Sequence, residues 1–303
     1  MRAGIDIGGT KINMGLIDES GRVIVKTKLP VRAEDGCASI IGSAARELLK
    51  MLDEIGASRN DVSFCGIGIP GTVSEDERTA VFVENLGWKN ENAADIFEGA
   101  AGIPCRLIHD AHAAAVGESK AGIAKGRKVV VCVTLGTGIG AGVIIDGKIY
   151  KGALGTAGEI GHCVSKPDGR QCNCGRRGCM ETVSSGMGIE KAASEHPRFK
   201  GRAMNSREVF SAAADGDEAA MSIINDAVRA LGDVLVCVVN VLSPDALVFS
   251  GGICGQKELY IDPVTDYIRS HAYPVAAGEG LLIATAALGE DAPMIGAALF
   301  GEE

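Results

Sequence analysis

Residues 3–31 read AGIDIGGTKINMGLIDESGRVIVKTKLPV. An apolar run stops at a glycine pair, resumes, and turns again at Glu19-Ser20-Gly21, which predicts three successive strands joined by tight turns. The P-loop and the dinucleotide fingerprint both require a helix after their glycines, whereas the glycines here lead into a strand. The sequence therefore predicts a strand–glycine–strand loop at Asp6–Lys11.

A second loop of this kind is LGTGIGAG, residues 135–142, which GVIIDGKIY follows with a predicted hairpin turn at Asp146-Gly147. A third glycine turn, SGGI at Ser250–Ile253, follows another apolar strand. Glycine allows backbone N–H groups to approach phosphate oxygens without a Cβ in the way. Turns without a ligand are the alternative, and two strand–glycine–strand loops that each carry a threonine favour phosphate binding.

The rest of the chain alternates strand and helix patterns in two similar halves. Residues 39–56 have helical spacing and end at Gly56, residues 206–242 are helical, and a closing helix begins near Ala292. A strand runs into a helix at His109-Asp110. This alternation predicts an α/β fold.

The composition of the chain limits the number of domains and the kinds of molecule it can bind. The 303 residues, 46% of them hydrophobic, are enough for two domains with substantial cores. The net charge of −9 gives no long-range attraction for nucleic acid or anionic membranes, and no apolar run reaches the length of a membrane span. The first residues, MRAGIDIGGTK, do not match a signal peptide, so we expect a cytoplasmic protein with neither nucleic acid nor membrane as partner.

Ten cysteines without an export signal favour a reducing compartment. Cys65, Cys132 and Cys237 lie in apolar runs and are predicted to be buried.

A different group of cysteines, Cys172, Cys174 and Cys179, lies in a polar, glycine-rich segment downstream of His162. One imidazole and three thiolates make a full tetrahedral set for Zn²⁺, and a set with no open position is typical of a structural site. The alternative is a loop of unligated or oxidation-prone thiols.

Asp110 is the catalytic candidate, since a strand-to-helix junction holds a carboxylate rigidly. By the residues alone, a helix N-cap is the favoured interpretation of Asp110.

The motifs DIGGTK, GIPGTV, HDAHAAAVGE, LGTGIGAG, GEIGH, CNCGRRGCMET and SGGI, in this order, resemble those of the ROK family of bacterial sugar kinases and sugar-responsive repressors. The resemblance covers nearly the whole chain. It implies the two-lobed α/β, ribonuclease H-like fold shared by actin, hexokinase and Hsp70. The implied lobes are a smaller one, 1–113 with 290–303, and a larger one, 114–289, with the zinc loop and the adenosine-side loop.

The resemblance also implies that the two strand–glycine–strand loops hold the ATP phosphates, that SGGI lies near the adenosine, and that Asp6 lies near Mg²⁺ through water. The residues implied around the nucleotide are Gly4, Ile5, Asp6, Ile7, Gly8, Gly9, Thr10, Lys11, Val133, Thr134, Leu135, Gly136, Thr137, Gly138, Ile139, Gly140, Gly251 and Gly252.

For the cysteine-rich segment, the resemblance implies a structural zinc site that holds the loop in shape for sugar binding. The implied zinc ligands are His162, Cys172, Cys174 and Cys179. Glu159, Glu181 and the free face of His162 would contact sugar hydroxyls. The phosphate loops lie elsewhere in the sequence, so we expect loss of a ligand such as Cys174 to spare nucleotide binding.

Asp110 corresponds to the family's base, which accepts the proton of the attacking hydroxyl. The transition state of phosphoryl transfer is loose, so positioning, Mg²⁺ and backbone N–H groups stabilise it more than a strong base would. The implied reaction is in-line transfer of the ATP γ-phosphate to the 6-hydroxyl of a hexose.

One departure concerns specificity. The family pattern Asn-Asp-Ala-Asn is here His109-Asp110-Ala111-His112. A neutral imidazole at 109 offers one donor and one acceptor, in a geometry that differs from that of an amide. Glucose is therefore the leading candidate, and allose, mannose, N-acetylmannosamine and N-acetylglucosamine stay open. His109 without a sugar contact is the alternative interpretation.

A second predicted sugar contact is Asn85 in ENLGW, and Trp88 in the same segment is predicted to fill the core.

Three other classes of protein fit the sequence less well. A ROK repressor would carry a winged helix–turn–helix before the kinase-like body, whereas DIGGTK begins at Asp6. A zinc-ribbon protein would need a second ligand pair and a basic surface. A non-catalytic sugar sensor would be expected to lack the base or a phosphate loop. We therefore predict a kinase, and the resemblance favours a homodimer formed through the larger lobe.

Overall fold

The computed structural model describes residues 1–301, which divide into two compact units. The first unit contains Met1–Lys128, Gly142–Ala157 and the C-terminal segment from Ala286, and the second contains Val129–Ala141 and Gly158–Thr285. This division differs from the lobe boundaries predicted after residues 113 and 289, and the predicted lobes stay a prediction.

The strands are short and most lie in two sheets. They are β1 (Arg2–Ile7), β2 (Lys11–Ile17), β3 (Val23–Pro30), β4 (Cys65–Ile69), β5 (Thr72–Val73), β6 (Ala80–Val83), β7 (Trp88–Glu91), β8 (Cys105–His109), β9 (Val129–Leu135), β10 (Ile139–Ile145), β11 (Lys148–Ile149), β12 (Ala246–Ser250) and β13 (Leu282–Thr285). The helices are α1 (Gly36–Glu54), α2 (Ala93–Ala101), α3 (Asp110–Lys120), α4 (Glu181–Ser184), α5 (Gly186–Glu195), α6 (Ser206–Ala214), α7 (Glu218–Leu242), α8 (Asp262–His271) and α9 (Ala292–Leu299).

The two five-stranded sheets repeat one topology, β3-β2-β1-β4-β8 and β11-β10-β9-β12-β13. In the first sheet, β1, β2 and β3 pair antiparallel, whereas β1–β4 and β4–β8 pair parallel. In the second, β10–β11 pair antiparallel, and β9–β12 and β12–β13 pair parallel. The predicted α/β fold with two similar halves is confirmed.

Glycines in the first sheet allow helix α9 to pack directly on the strand backbones. A Cβ at Gly4 would lie 2.0 Å from the carbonyl oxygen of Met294, and one at Gly66 would lie 1.8 Å from that of Ala297. Side chains at these two positions would therefore push the helix off β1 and β4. The close packing fixes the sheet, whose strand β1 carries Asp6.

Several local predictions are confirmed. Helix α1 ends two residues before Gly56, which has a φ of 70°. The hairpin between β10 and β11 turns at Asp146 and Gly147, whose φ values of 50° and 79° are those of a type I′ turn. Cys65 and Cys132 are buried, as predicted.

The predicted burial of Cys237 is wrong, because this side chain is exposed. It lies near the end of α7, where apolar residues occupy all sides of the helix, so some of them face outward; Val241 is 80% exposed. Within residues 1–301, no helix combines the length and the apolar composition needed to cross a membrane.

Candidate active site and metal cluster

A carboxylate lies at the junction of β8 and α3. Strand β8 ends at His109, and Asp110 is the first residue of the helix, with its side chain 39% exposed. The N-cap of α3 is His109, so the interpretation of Asp110 as that cap is wrong. Asp110 is therefore held at a fixed point of the backbone while its carboxylate stays accessible.

His109 has a structural task. Its Nδ1 atom accepts the backbone N–H of Ala111 at 3.2 Å, and Oδ1 of Asp110 accepts the same N–H at 2.6 Å. A neutral imidazole that accepts at Nδ1 carries its proton on Nε2, so the ring can offer a ligand only a donor. The Nδ1 atom faces the start of the helix, so a sugar contact of His109 would be made through Nε2, and that contact stays a prediction.

His112 follows one helical turn later and is buried. Its Nε2 lies 2.9 Å from the carbonyl oxygen of Ala157, and a neutral ring donates there. Burial lowers the pKa of His112 to about 4, so the ring is neutral at physiological pH. This histidine fastens the segment that ends at Ala157 to helix α3.

Asp6 lies near the end of β1, in the same unit as Asp110. Burial and, to a lesser extent, the negative charge of Asp110 raise the pKa of Asp6 to about 7, and the charge of Lys11 opposes both effects. Two neighbouring carboxylates that destabilise each other's charge are an arrangement that a cation would relieve. Asp6 can therefore serve a cation as predicted, directly or through water.

The first glycine loop is exposed and tied chiefly to its own hairpin. Gly8 donates its N–H to the carbonyl of Lys11 at 2.8 Å, and Thr10 accepts from Val31 at 2.9 Å. The Lys11 ammonium lies 3.1 Å from a carboxylate oxygen of Glu290, in a pair that is half-exposed. The lysine predicted near phosphate thus has a competing partner.

Asn85 lies in the turn between β6 and β7, and its Cβ would be 3.8 Å from a Cβ added to Gly9. Its side chain is exposed beside the first glycine loop, where it can reach a ligand. Trp88 is 2% exposed and packs in the core of the first unit, which confirms its predicted place.

In the second unit, the predicted metal ligands converge. One ligand atom from each of four residues lies within 4.8 Å of the others: His162, Cys172, Cys174 and Cys179. The Nδ1 atom of His162 lies 3.6 Å from Cys172 Sγ, and the Sγ atoms of Cys174 and Cys179 are 3.6 Å apart. Four ligands at Zn–S distances of about 2.3 Å span edges of about 3.8 Å in a tetrahedron, so the cluster fits Zn²⁺.

The two predicted sugar-binding glutamates differ in their contacts. A carboxylate oxygen of Glu159 lies 3.7 Å from Nε2 of His162, on the ring edge that faces away from Cys172. Glu181 starts helix α4; its Oε2 accepts the backbone N–H of Ile139 at 2.8 Å, and its Oε1 lies 4.0 Å from Cys172 Sγ. Glu181 thus connects the metal cluster with the second glycine loop.

Further bonds hold the second glycine loop against the segment after the metal cluster. Gly186 donates its N–H to the carbonyl of Gly136 at 2.9 Å, and Met187 donates to Thr137 at 3.3 Å. These contacts oppose the reason given for expecting loss of Cys174 to spare nucleotide binding, namely that the glycine loops lie elsewhere in the sequence; the effect on nucleotide binding stays a prediction. The loop and the segment are distant in sequence but hydrogen-bonded in space.

A cavity of about 620 Å³ joins the second and third glycine turns. Gly136, Thr137 and Gly252 line it, as predicted for a nucleotide site. It is also lined by residues that the sequence did not single out, namely Gly186, Met187, Glu190, Asn205, Ser206, Arg207, Phe210, Ile253 and Gln256. Their only sequence signal is the capping pattern that starts α6 at Asn205, which predicts a helix and not a ligand.

The ROK family profile matches residues 2–303. The chain belongs to the ROK family. It is 35% identical to a glucokinase of Halalkalibacterium halodurans, over 97% of this chain and 92% of that protein. It is 32% identical to an N-acetylmannosamine kinase of Citrobacter koseri, over 98% of this chain and 97% of that protein.

Among solved structures, it resembles a ROK family glucokinase from Streptomyces griseus in complex with glucose and AMPPNP, with a TM-score of 0.81 and 31% identity over 98% of this chain and 97% of that one. The predicted ROK membership and fold class are confirmed. The roles of individual site residues stay predictions, which the geometry of each unit supports to different degrees.

Proposed function

We propose that this ROK sugar kinase transfers the γ-phosphate of ATP to the 6-hydroxyl of a hexose, with glucose as the leading substrate. The observation that carries the proposal is the accessible Asp110 carboxylate at the start of α3, in the same unit as the half-buried Asp6. The similarity to glucokinases supports the sugar and the donor.

In this proposal Asp110 orients the 6-hydroxyl and accepts its proton as the bond to phosphorus forms. The proposed contacts with the other hydroxyls are the Nε2–H of His109 and the side chain of Asn85 in the first unit. In the second unit they are Glu159, Glu181 and His162. Mg²⁺, when bound, would neutralise charge on the phosphates, and Asp6 is the residue that would hold it. The first glycine loop and the loop around Gly136 offer backbone N–H groups to the phosphates.

We assign the adenosine to the cavity between Gly136 and Gly252, whose volume of about 620 Å³ lies in the range of small-molecule sites. The polar side chains of Asn205, Arg207 and Gln256 provide hydrogen-bonding groups there.

We propose a structural zinc ion bound by His162, Cys172, Cys174 and Cys179. The fit of the cluster to a tetrahedron supports this ion, and the full ligand set leaves no position for a substrate. Glu159 beside the free edge of His162 is the kind of carboxylate that orients a metal-bound imidazole.

We also propose a homodimer through the second unit, in agreement with the prediction for the larger lobe. Val241, Tyr273 and Val275 are 80%, 66% and 82% exposed, and the N–H of Tyr273 donates to Asn240 Oδ1 at 2.7 Å, so the two segments that carry these residues lie side by side. Exposed apolar patches of this kind are typical of protein–protein contacts. Sedimentation of Val241→Asp and of wild type tests the homodimer, since the added charge should weaken the association. The cytoplasmic location stays a prediction.

The test of the activity is an ATP-coupled assay over glucose, mannose, allose, N-acetylmannosamine and N-acetylglucosamine, read as kcat/KM. N-acetylmannosamine is the second candidate, because a kinase for it is 32% identical over nearly the whole chain. If folded, zinc-loaded protein phosphorylates none of these sugars, the proposal is overturned and a non-catalytic sugar sensor is favoured.

A further inference from the structure

We propose that Glu181 is a positioning residue for the nucleotide, in addition to its proposed contact with the sugar. It would do so by holding the second glycine loop through the backbone N–H of Ile139. This inference rests on the proposed function, since it assigns the loop to the phosphates of ATP.

The tether is a charge-assisted hydrogen bond. Oε2 of Glu181 accepts the N–H of Ile139 at 2.8 Å, in a partly buried setting. Hydrogen bonds to an ionised acceptor are among the stronger ones in proteins. Ile139 is the residue at which the loop ends and strand β10 begins, so the bond fixes the C-terminal end of the loop.

The packing around the tether is tight. A Cβ at Gly138 would lie 2.5 Å from Oε2 of Glu181, and the next nearest atom is the carboxylate carbon, at 3.4 Å. Gly138 does not have a positive φ, so its backbone conformation does not require glycine. Space for the carboxylate is what glycine provides at 138, and alanine there would displace the side chain of Glu181.

The other end of the loop is held by the same short segment. Gly186, at the start of α5, donates to the carbonyl of Gly136, and Met187 donates to that of Thr137. The loop is therefore attached at both ends to residues 181–187, which directly follow the proposed zinc ligand Cys179. The loop's own bond, Gly136 N–H to the Gly138 carbonyl at 3.0 Å, closes the turn between these attachments.

This arrangement predicts that removal of the carboxylate releases the loop and weakens nucleotide binding even without sugar. A residue that only binds sugar would not have this effect. Glu159 provides the matched comparison, because it is also a proposed sugar ligand beside the metal cluster, and the contact found for its carboxylate is with His162.

The experiment measures the affinity of Mg²⁺–AMPPNP by calorimetry in the absence of sugar, for wild type, Glu181→Ala, Glu181→Gln, Gly138→Ala and Glu159→Ala. We expect about tenfold weaker binding in Glu181→Ala and Gly138→Ala, which is the loss of one hydrogen bond to a charged group. Glu181→Gln, whose amide oxygen can still accept from Ile139, should recover most of the affinity. Glu159→Ala, compared with wild type at equal zinc content, should have the wild-type affinity.

Zinc content and thermal unfolding of each variant show whether it is folded and metal-loaded. Wild-type affinity in both Glu181→Ala and Gly138→Ala would overturn the inference, and so would equal losses in Glu159→Ala. A wild-type protein that does not bind Mg²⁺–AMPPNP would overturn the proposed function instead. If Gly138→Ala does not fold, the pair Glu181→Ala and Glu181→Gln decides.

Discussion

The two glycine loops follow equivalent strands of the two sheets, but the structure holds them differently. The loop at Asp6–Lys11 is exposed, closes on itself, and lies beside the half-buried carboxylate of Asp6. The loop around Gly136–Ile139 is attached at both ends to the segment after the metal cluster. The first loop thus carries a negative charge that a cation would balance. The second loop is held in shape by hydrogen bonds within the protein that need no ligand.

The largest effect should come from the first half, where the proposed base lies. Asp110→Asn keeps the shape of the side chain but cannot accept the proton, so kcat should fall by about 10²–10⁴-fold while sugar binding persists. Steady-state kinetics and sugar calorimetry measure both quantities. The matched control is Asp217→Asn, which changes the N-cap of α7 in the second unit and should leave kcat near wild type. Activity of Asp110→Asn within a few-fold of wild type would remove the base from the proposal.

The charge of Asp6 should also make the free energy of unfolding depend on pH. The folded-state pKa of Asp6, about 7, is higher than its ordinary value, so between pH 4 and 7 the folded state binds more protons than the unfolded state. The free energy of unfolding should therefore fall as pH rises through this window, by roughly 4 kcal/mol at most. Denaturant unfolding of wild type and Asp6→Asn without nucleotide measures the effect as a difference, because other groups titrate equally in both.

Asp6→Asn should be more stable than wild type at pH 8 and should lose most of this advantage at pH 4. A constant difference across the range would contradict the account. Saturating Mg²⁺–ADP should narrow the gap at pH 8, since a cation near Asp6 favours its charged form.

The framework of the second half should depend on the metal. Cys174→Ser removes one of the proposed zinc ligands, so zinc should be lost and both sugar and nucleotide should bind about tenfold more weakly or worse. Elemental analysis and calorimetry test the two parts separately. Cys237→Ser, an exposed cysteine on α7, is the matched control and should keep zinc and both affinities. If zinc-free protein keeps its nucleotide affinity, the metal cluster does not support the second glycine loop, and the proposed difference between the two loops is wrong.

The smallest effect concerns His109. Asparagine can also cap α3 and still donate one N–H, so His109→Asn should fold normally and change preference among hexoses by about 1 kcal/mol, a few-fold in kcat/KM. The same factor for every sugar would make His109 a capping residue without a role in specificity.

Much of this structure can be predicted from the sequence because the residue patterns that indicate it are local. Glycine pairs between apolar runs mark the loops, and the Asp146-Gly147 turn and the helix start at Asp110 follow from short-range preferences. The four predicted metal ligands come together as their spacing indicated. Other features were not legible because they depend on which distant backbone groups meet. The pairing of Lys11 with Glu290 and the capping bond of His109 belong to this second kind.

The sequence by itself determined the ROK family, the α/β topology of two similar halves, the candidate base and the cysteine–histidine set, since each depends on residue type and short spacing. Only the tertiary structure decided which acceptors were already in use and which loops were attached to one another. Glu181 and Ile139 are 42 positions apart, and no pattern of either residue indicates that a carboxylate will bond that one amide. Such a bond forms because burial leaves a backbone N–H in need of an acceptor, and the nearest one is chosen by the packing of the whole unit.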